Sequence, residues 1–247
     1  MLDVKDLSVF HGRRAVCDGI SFSLEQGSVT ALLGLNGSGK STLLSAIGGS
    51  IPAQGEIRLM GEDLSSLPPR ERAKKLALLP QMMSTPPFTV EETVACGRNP
   101  YRSTTARLSP EDERAVEEAI RKTGIDSLRD RHLASLSGGE RQICLLAMVL
   151  AQETPLLLLD EPTSFLDKAK EHLFWETLAR VIDERGTTVL AAMHDLTAAV
   201  RVSDRFMLLQ EGRLLFHGTR AELLSSNLLE CTFGVKRYET EDGPVFA

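Results

Sequence analysis

Residues 34–41 read Gly34-Leu35-Asn36-Gly37-Ser38-Gly39-Lys40-Ser41, and Thr42 follows. This stretch matches the pattern G-x-x-x-x-G-K-[ST] and stands between a predicted strand, Val29–Leu33, and a predicted helix, Thr42–Ile47. Glycines let a backbone turn closely around phosphate groups, and the N-terminal amides of the following helix point to the same place. We therefore predict a phosphate-binding loop in which an exposed Lys40 supplies positive charge and the Ser41 hydroxyl binds Mg²⁺.

A second apolar run ends in two acidic residues. Residues 156–162 read Leu156-Leu157-Leu158-Leu159-Asp160-Glu161-Pro162. Four aliphatic residues in a row indicate a strand covered on both faces. Ligands of open α/β sheets bind outside the carboxyl ends of such strands, so both carboxylates are expected near the phosphate loop. We predict that Asp160 binds Mg²⁺ and that Glu161 is the general base that activates a water molecule beyond the terminal phosphate.

The composition is that of a globular protein with a sizeable core. The chain has 247 residues, of which 42% are hydrophobic and 25% are charged, and its formal net charge is −6. These values exclude a disordered, collagen-like or disulfide-stapled chain. The acidic balance disfavours nucleic acid as a partner. The four cysteines are scattered without a C-x-x-C pair, which argues against a zinc site and favours reduced thiols in the cytoplasm.

The order of predicted elements indicates an α/β fold. Short strand-like segments fill the first sixty residues, and from residue 156 onward strands alternate with helices, which is typical of a parallel sheet. The section between them is more helical. It includes a helix that begins after Ser109-Pro110 and ends at Gly124. The apolar runs fall far short of the ~20 residues that cross a bilayer, and no secretory signal is visible.

Two other classes of phosphate-loop protein fit the sequence less well. A GTP-binding switch protein needs an Asn-Lys-x-Asp element that reads the base, and the sequence has none. A small-molecule kinase needs an acceptor site, which no motif indicates. Hydrolysis by an activated water molecule is the simpler prediction.

A third motif makes a family recognisable. Leu136-Ser137-Gly138-Gly139-Glu140 opens an amphipathic segment, and Gln81 and His194 stand before and after it. In this order, together with the phosphate loop and the acidic pair, the motifs resemble the nucleotide-binding cassette of ATP-binding cassette (ABC) transporters over nearly the whole chain.

The resemblance implies a fold and a division of the chain. The fold is a P-loop core of mainly parallel sheet with an N-terminal antiparallel β subdomain and an inserted α-helical subdomain. Residues 1–83 and 152–247 would form the ATPase core, and residues 84–151 the helical subdomain that carries the Ser-Gly-Gly signature loop. The implied ligands are ATP and Mg²⁺.

The resemblance also implies roles for residues outside the two central motifs. Gln81 would sense Mg²⁺ and the attacking water, and His194 would contact the terminal phosphate. The signature loop Ser137–Gly139 would bind the nucleotide held by a second copy of the chain, in a head-to-tail dimer with two-fold symmetry. Adenine would pack on Val16 and stack on an aromatic ring. His11 stands at the usual stacking position and Phe10 precedes it, so the sequence leaves the choice of ring open.

Several segments resemble the importer branch for iron chelates, haem and cobalamin. They are Leu67–Ala73, Leu79–Gln81, Phe88–Val90, Gly97–Tyr101 and Phe233–Val235. The resemblance implies integral-membrane permease subunits, a substrate-binding protein, and a peripheral location on the cytoplasmic side of the inner membrane. Residues 82–101, with Glu91 and Arg98 exposed, would be the surface that a permease helix contacts. Importers of other metal ions or oxyanions, and soluble ABC ATPases that act outside transport, remain alternatives.

Overall fold

The computed structural model describes residues 1–81, 86–102, 107–241 and 243–247. The expected boundary at residues 83 and 84 lies outside these ranges. The strands of the described chain are β1 (Leu2–His11), β2 (Arg14–Leu24), β3 (Val29–Leu33), β4 (Gln54–Leu59), β5 (Glu62–Asp63), β6 (Leu76–Leu79), β7 (Leu156–Asp160), β8 (Thr188–Ala192), β9 (Arg205–Gln210), β10 (Arg213–Thr219), β11 (Arg237–Thr240) and β12 (Gly243–Phe246). The α-helices in the same ranges are α1 (Lys40–Gly48), α2 (Pro69–Ala73), α3 (Val90–Ala95), α4 (Pro110–Thr123), α5 (Gly138–Ala151), α6 (Lys168–Arg185), α7 (Leu196–Val202), α8 (Arg220–Ser225) and α9 (Leu228–Phe233).

The sheets confirm the predicted fold class. One sheet has the strand order β2-β1-β4-β5, and its strands pair antiparallel. A second sheet has the order β10-β9-β3-β8-β7-β6. In it β3 pairs in parallel with β8 and β9, and β10 closes an antiparallel hairpin with β9. This is the expected core with a separate antiparallel sheet near the N-terminus.

Local sequence signals account for the ends of the helices. Ser109 caps α4 by accepting the amide hydrogen of Asp112, whose carboxylate accepts from the Ser109 amide in return. Pro110 stands at the first turn, where its missing N–H costs nothing. Gly124 ends the helix at φ 68°, a conformation that glycine adopts without strain. The predicted helix is confirmed at both ends.

The chain divides into two compact units. The first comprises Met1–Leu67, Leu158–Glu161 and Thr188–Ala247. In it β3 and β8 are buried along their whole length, as is typical of parallel strands that are covered on both faces. The C-terminal strand β12 packs against α7 in the same unit.

The second unit comprises Pro68–Leu157 and Pro162–Thr187. Its core forms around α5, which packs against α3 and α4. Ten of the fourteen residues of α5 are buried, so its apolar surface extends well beyond one stripe. Strand β6, which the sequence analysis did not predict, also belongs to this unit. In the part of the chain that the structure describes, no helix has the length and apolar character that spanning a membrane requires.

Candidate active site

The phosphate loop connects β3 to α1, as predicted. Its first glycine is sterically required: a Cβ on Gly34 would lie 2.3 Å from the carbonyl oxygen of Leu209. Gly39 stands at the N-cap of α1 with φ 106° and provides no side-chain cap. The first-turn amides of α1 are therefore left to bind an anion, and a helix N-terminus favours negative charge.

Lys40 is more enclosed than the sequence suggested. The expectation of an exposed ammonium is wrong, since Lys40 is only 5% exposed. Its Nζ donates hydrogen bonds to the carbonyl oxygens of Gly34 (2.7 Å) and Leu35 (3.3 Å). Burial lowers the pKa of Lys40, whereas the nearby carboxylates of Glu161 and Asp160 act in the opposite direction. The ammonium is thus held inside the loop by two backbone carbonyl oxygens.

Ser41 and Asp160 meet as predicted. The Ser41 hydroxyl lies 3.0 Å from Oδ1 of Asp160, which is 6% exposed. Burial raises the pKa of Asp160, and the Ser41 hydrogen bond partly offsets this rise. A hydroxyl and a carboxylate are the oxygen ligands that Mg²⁺ prefers, so this pair fits the ion. The Ser38 hydroxyl is buried and has no hydrogen-bond partner among the described residues, which suits a phosphate oxygen beside it.

Glu161 and His194 are in direct contact. His194 Nε2 and Glu161 Oε1 share a hydrogen bond whose direction depends on the imidazole tautomer. The two residues follow β7 and β8, and the Glu161 amide donates to the Ala192 carbonyl oxygen at 3.1 Å. Glu161 has φ 51°, a left-handed conformation that is strained for a residue with a side chain. The sequence predicted a role for each residue but not their contact.

A cavity of about 820 Å³ opens beside the phosphate loop. His11 and Val16 line it together with loop residues Leu35–Ser38, whereas Phe10 is not among its lining residues. The remaining lining residues are Arg14, Ala15, Leu209, Gln210, Glu211, Gly212 and Thr232. The sequence analysis missed them. Glu211-Gly212 could have been found as a tight turn directly after a buried strand, whereas Thr232 carries no local signal.

Comparisons with known proteins agree with this geometry. The family model described as "ABC transporter" matches residues 17–164. This chain belongs to the ABC transporter family. It is 38% identical over 234 residues to the ferric enterobactin transport ATP-binding protein FepC of Escherichia coli K12, covering 94% of this chain and 86% of that protein. It is 41% identical over 243 residues to the hemin import ATP-binding protein HmuV of Pseudomonas fluorescens Pf0-1, covering 96% and 93%.

A solved structure shows the same fold over the whole length. An ABC transporter assigned to the metal-chelate type, in an inward-facing conformation, superposes with a TM-score of 0.83 at 27% identity. The match covers 100% of this chain and 95% of the solved chain. The predicted resemblance to an ABC cassette is therefore confirmed. ATP-binding subunits of ABC importers are ATPases coupled to transport, and this cassette is one of that family.

The remaining predicted site residues of the cassette lie in the second unit. Gln81 is exposed and follows β6. Ser137 caps α5 by accepting the Glu140 amide hydrogen, and the Glu140 carboxylate accepts from the Ser137 amide. Hydrogen bonds from the Ser137 hydroxyl and the Ser137 amide lower the pKa of Glu140. A Cβ on Gly139 would lie 2.9 Å from the Lys170 side chain, so α6 places a cation beside the signature loop that the sequence analysis did not identify.

The segment expected to contact a permease is only partly as predicted. Residues 82–85 lie outside the described ranges. Phe88 is 39% exposed, and the Glu91 side chain is 49% exposed. Arg98, expected on the same surface, is 2% exposed, and that expectation is wrong. Its guanidinium is held by Asp112, Glu153 and the Ala151 carbonyl oxygen.

Proposed function

We propose that this cassette binds and hydrolyses ATP to power an importer of iron-siderophore, haem or cobalamin-type substrates. The observation that carries the hydrolytic part is the arrangement of Ser41 with Asp160 and of Glu161 with His194 around one phosphate loop. The substrate class is supported by two relatives named for ferric enterobactin and hemin, both of which are iron chelates.

In the proposed mechanism the loop amides and Lys40 hold the phosphates, while Ser41 and Asp160 hold Mg²⁺. The ion, when bound, neutralises charge that develops on the phosphate oxygens. Glu161 accepts a proton from the attacking water. His194 restrains the Glu161 carboxylate through their hydrogen bond and contacts the terminal phosphate. For Gln81 we keep the role that the family resemblance implies, which is to sense Mg²⁺ and the attacking water.

The adenosine end of the nucleotide would occupy the cavity lined by His11 and Val16. An imidazole can stack on adenine, although more weakly than a larger aromatic ring. His11 lines the cavity and Phe10 does not, which favours His11 as the stacking residue.

We further propose that the working unit is a dimer of cassettes. Ser137–Gly139 form the N-terminus of α5, whose amides and positive end suit the terminal phosphate of a nucleotide held by the partner copy. Residues 84–151 would then act as the helical subdomain and residues 1–83 and 152–247 as the ATPase core. Permease subunits would hold the dimer at the cytoplasmic side of the inner membrane, where a substrate-binding protein delivers the cargo from the other side.

Loss of the Lys40 ammonium should weaken nucleotide binding strongly. Charge-assisted hydrogen bonds contribute about 1.5–3 kcal/mol, so Lys40→Ala should raise the dissociation constant of MgATP roughly 10- to 100-fold. Isothermal titration calorimetry measures this directly. Lys40→Met, which keeps the buried aliphatic stem, is the matched control and should bind as weakly as Lys40→Ala. Wild-type affinity in either variant would refute the assignment of the phosphate loop.

Reversing the charge of Glu91 should separate transport from nucleotide binding. Glu91 is exposed on α3, where its Oε1 lies 4.0 Å from Nη1 of Arg129. If it faces a permease, Glu91→Lys should lower transport by about 10-fold through like-charge contacts, with MgATP affinity unchanged. Glu117→Lys is the control, since Glu117 is exposed in the same unit and contacts the same Arg129. Equal transport rates in the two variants would show that Glu91 is not part of the docking surface.

The substrate class and the alternatives can be tested in the organism. Disruption of the gene should abolish growth on one iron chelate or corrinoid supplied as the single source. Growth defects limited to another metal ion or an oxyanion would favour the alternative importers. Co-purification with ribosomes or DNA, in place of a multi-spanning permease, would favour a soluble ATPase.

A further inference from the structure

The turn between β9 and β10 is bonded to two separate parts of the nucleotide site. The Gly212 amide donates a hydrogen bond to the Ser38 carbonyl oxygen of the phosphate loop at 3.0 Å. The Gly212 carbonyl oxygen accepts from the Asp18 amide on β2 at 2.9 Å. The Arg213 guanidinium reinforces this second link through Asp18 Oδ2 at 2.7 Å. One residue thus connects the loop to the strand that carries Val16.

The position leaves no room for a side chain. Gly212 has φ 78°, and a Cβ there would lie 2.3 Å from the Val16 carbonyl oxygen. Gly39 approaches the same oxygen from the phosphate loop, since its own Cβ would lie 2.9 Å away. The backbone of Val16 is therefore enclosed by one glycine from the loop and one from the turn.

These contacts join the two ends of a single cavity. Its lining includes phosphate-loop residues, the residues His11 and Val16, and the turn residues Glu211 and Gly212. In the proposed function the phosphates lie against the first group and the adenosine against the second, and these two groups are the two ends. A nucleotide gains affinity from both ends only if their separation matches its own length. The hydrogen bonds of Gly212 to Ser38 and Asp18 connect the two segments of the chain that line these ends.

We infer that Gly212 is a positioning residue that fixes the base-binding side of β2 relative to the phosphate loop. This inference rests on the proposed function, in which the cavity holds a nucleotide. We expect Gly212 to affect the affinity for a whole nucleotide more than the affinity for phosphates alone. Its amide bonds to the Ser38 carbonyl oxygen, which leaves the N–H groups of the loop available for phosphate.

The test compares a ligand that uses both ends with one that uses a single end. MgADP spans the cavity and is not hydrolysed, whereas magnesium pyrophosphate occupies only the phosphate loop. Gly212→Ala should displace Val16 and raise the dissociation constant of ADP by about 10-fold, leaving that of pyrophosphate within about twofold of wild type. Calorimetry on the purified chain measures both.

Gly61→Ala is the matched control. Gly61 lies in the same unit at φ 84°, and a Cβ there meets nothing within 4 Å. Gly61→Ala therefore introduces a similar backbone strain but no clash like that of Gly212→Ala with Val16. ADP and pyrophosphate should both bind to it with dissociation constants within about twofold of wild type. Equal loss of ADP and pyrophosphate binding in Gly212→Ala, or unchanged binding of both, would overturn the inference. Wild-type protein that binds neither ligand would instead refute the proposed function.

A measurement on the unmodified chain covers the case in which Gly212→Ala does not fold. Amide hydrogen exchange at Asp18 and Gly212 should slow when ADP binds, because both ends of the cavity are then held. Pyrophosphate should slow only the Gly212 amide, which is bonded to the phosphate loop at Ser38, and should leave the Asp18 amide near its ligand-free rate. Equal slowing of the Asp18 amide by both ligands would contradict the positioning role.

Discussion

Glu161→Gln is expected to lower ATP hydrolysis by about 10²–10⁴-fold, the usual cost of losing a general base. Glutamine keeps the size of Glu161 and can still hydrogen-bond to His194, but it cannot take a proton from water. The contacts made by Lys40 and Ser41 are unaffected, so MgATP should bind as in the wild type. Phosphate release under saturating ATP measures the loss.

The same variant should accumulate as an ATP-dependent dimer. Nucleotide bound by the phosphate loop of one copy and the signature loop of the other would persist when it is not hydrolysed. Size-exclusion chromatography with ATP should then show twice the monomer mass for Glu161→Gln, whereas wild type returns to monomer as it consumes ATP. If Glu161→Gln stayed monomeric and hydrolysed ATP at the wild-type rate, Glu161 would be excluded as the general base.

Asp160→Asn is the contrasting variant. The carboxylate is buried and its pKa is raised, so a neutral amide of the same shape should be tolerated by the fold. Magnesium binding should weaken, and the dimer should not accumulate even with ATP. Adding excess Mg²⁺ should partly restore the dimer in Asp160→Asn and change nothing in Glu161→Gln.

Arg98→Ala should destabilise the second unit by about 3–5 kcal/mol, the range observed when one partner of a buried ion pair is removed. The guanidinium lies 2.8 Å from Asp112 and 2.9 Å from Glu153, and it stacks over the Tyr101 ring at 4.0 Å. Its loss would leave the Asp112 carboxylate buried without a counter-charge. Urea unfolding monitored by circular dichroism gives the change in the free energy of unfolding.

The control for this prediction is an exposed arginine of the same unit. Arg129 pairs with Glu117 at the surface, and Arg129→Ala should change stability by about 1 kcal/mol or less. Equal stability of the two variants would show that Arg98 is not a structural residue. Any transport defect of an Arg98 variant should be judged only after its stability is known.

The ion pair between Arg98 and Asp112 should also make the stability of the second unit depend on pH. Burial alone would raise the pKa of Asp112, but hydrogen bonds from Arg98 and Ser109 hold it below the ordinary value of 3.8. A carboxyl group with a depressed pKa stabilises the fold above its unfolded pKa and loses that contribution as the pH falls toward its folded pKa. The difference in stability between wild type and Arg98→Ala should therefore shrink below about pH 4.

The sequence by itself determined the fold class and the chemistry of the central motifs. The phosphate loop, the acidic pair and the ends of α4 depend on local requirements: glycine at positive φ, a capping side chain, and a buried strand that ends in carboxylates. Because these requirements act over a few residues, they can be found in a linear pattern. The order of five such motifs along the chain was enough to indicate the family.

The tertiary structure alone decided how residues distant in sequence are arranged. Lys40 and Arg98 were both expected to be exposed, and both are buried, because the exposure of a long cationic side chain depends on what packs around it. The hydrogen bond between Glu161 and His194 joins the ends of two separate strands. Gly212 shows the same limit, because its contacts with Ser38 and Asp18 exist only where the fold brings three segments of the chain together.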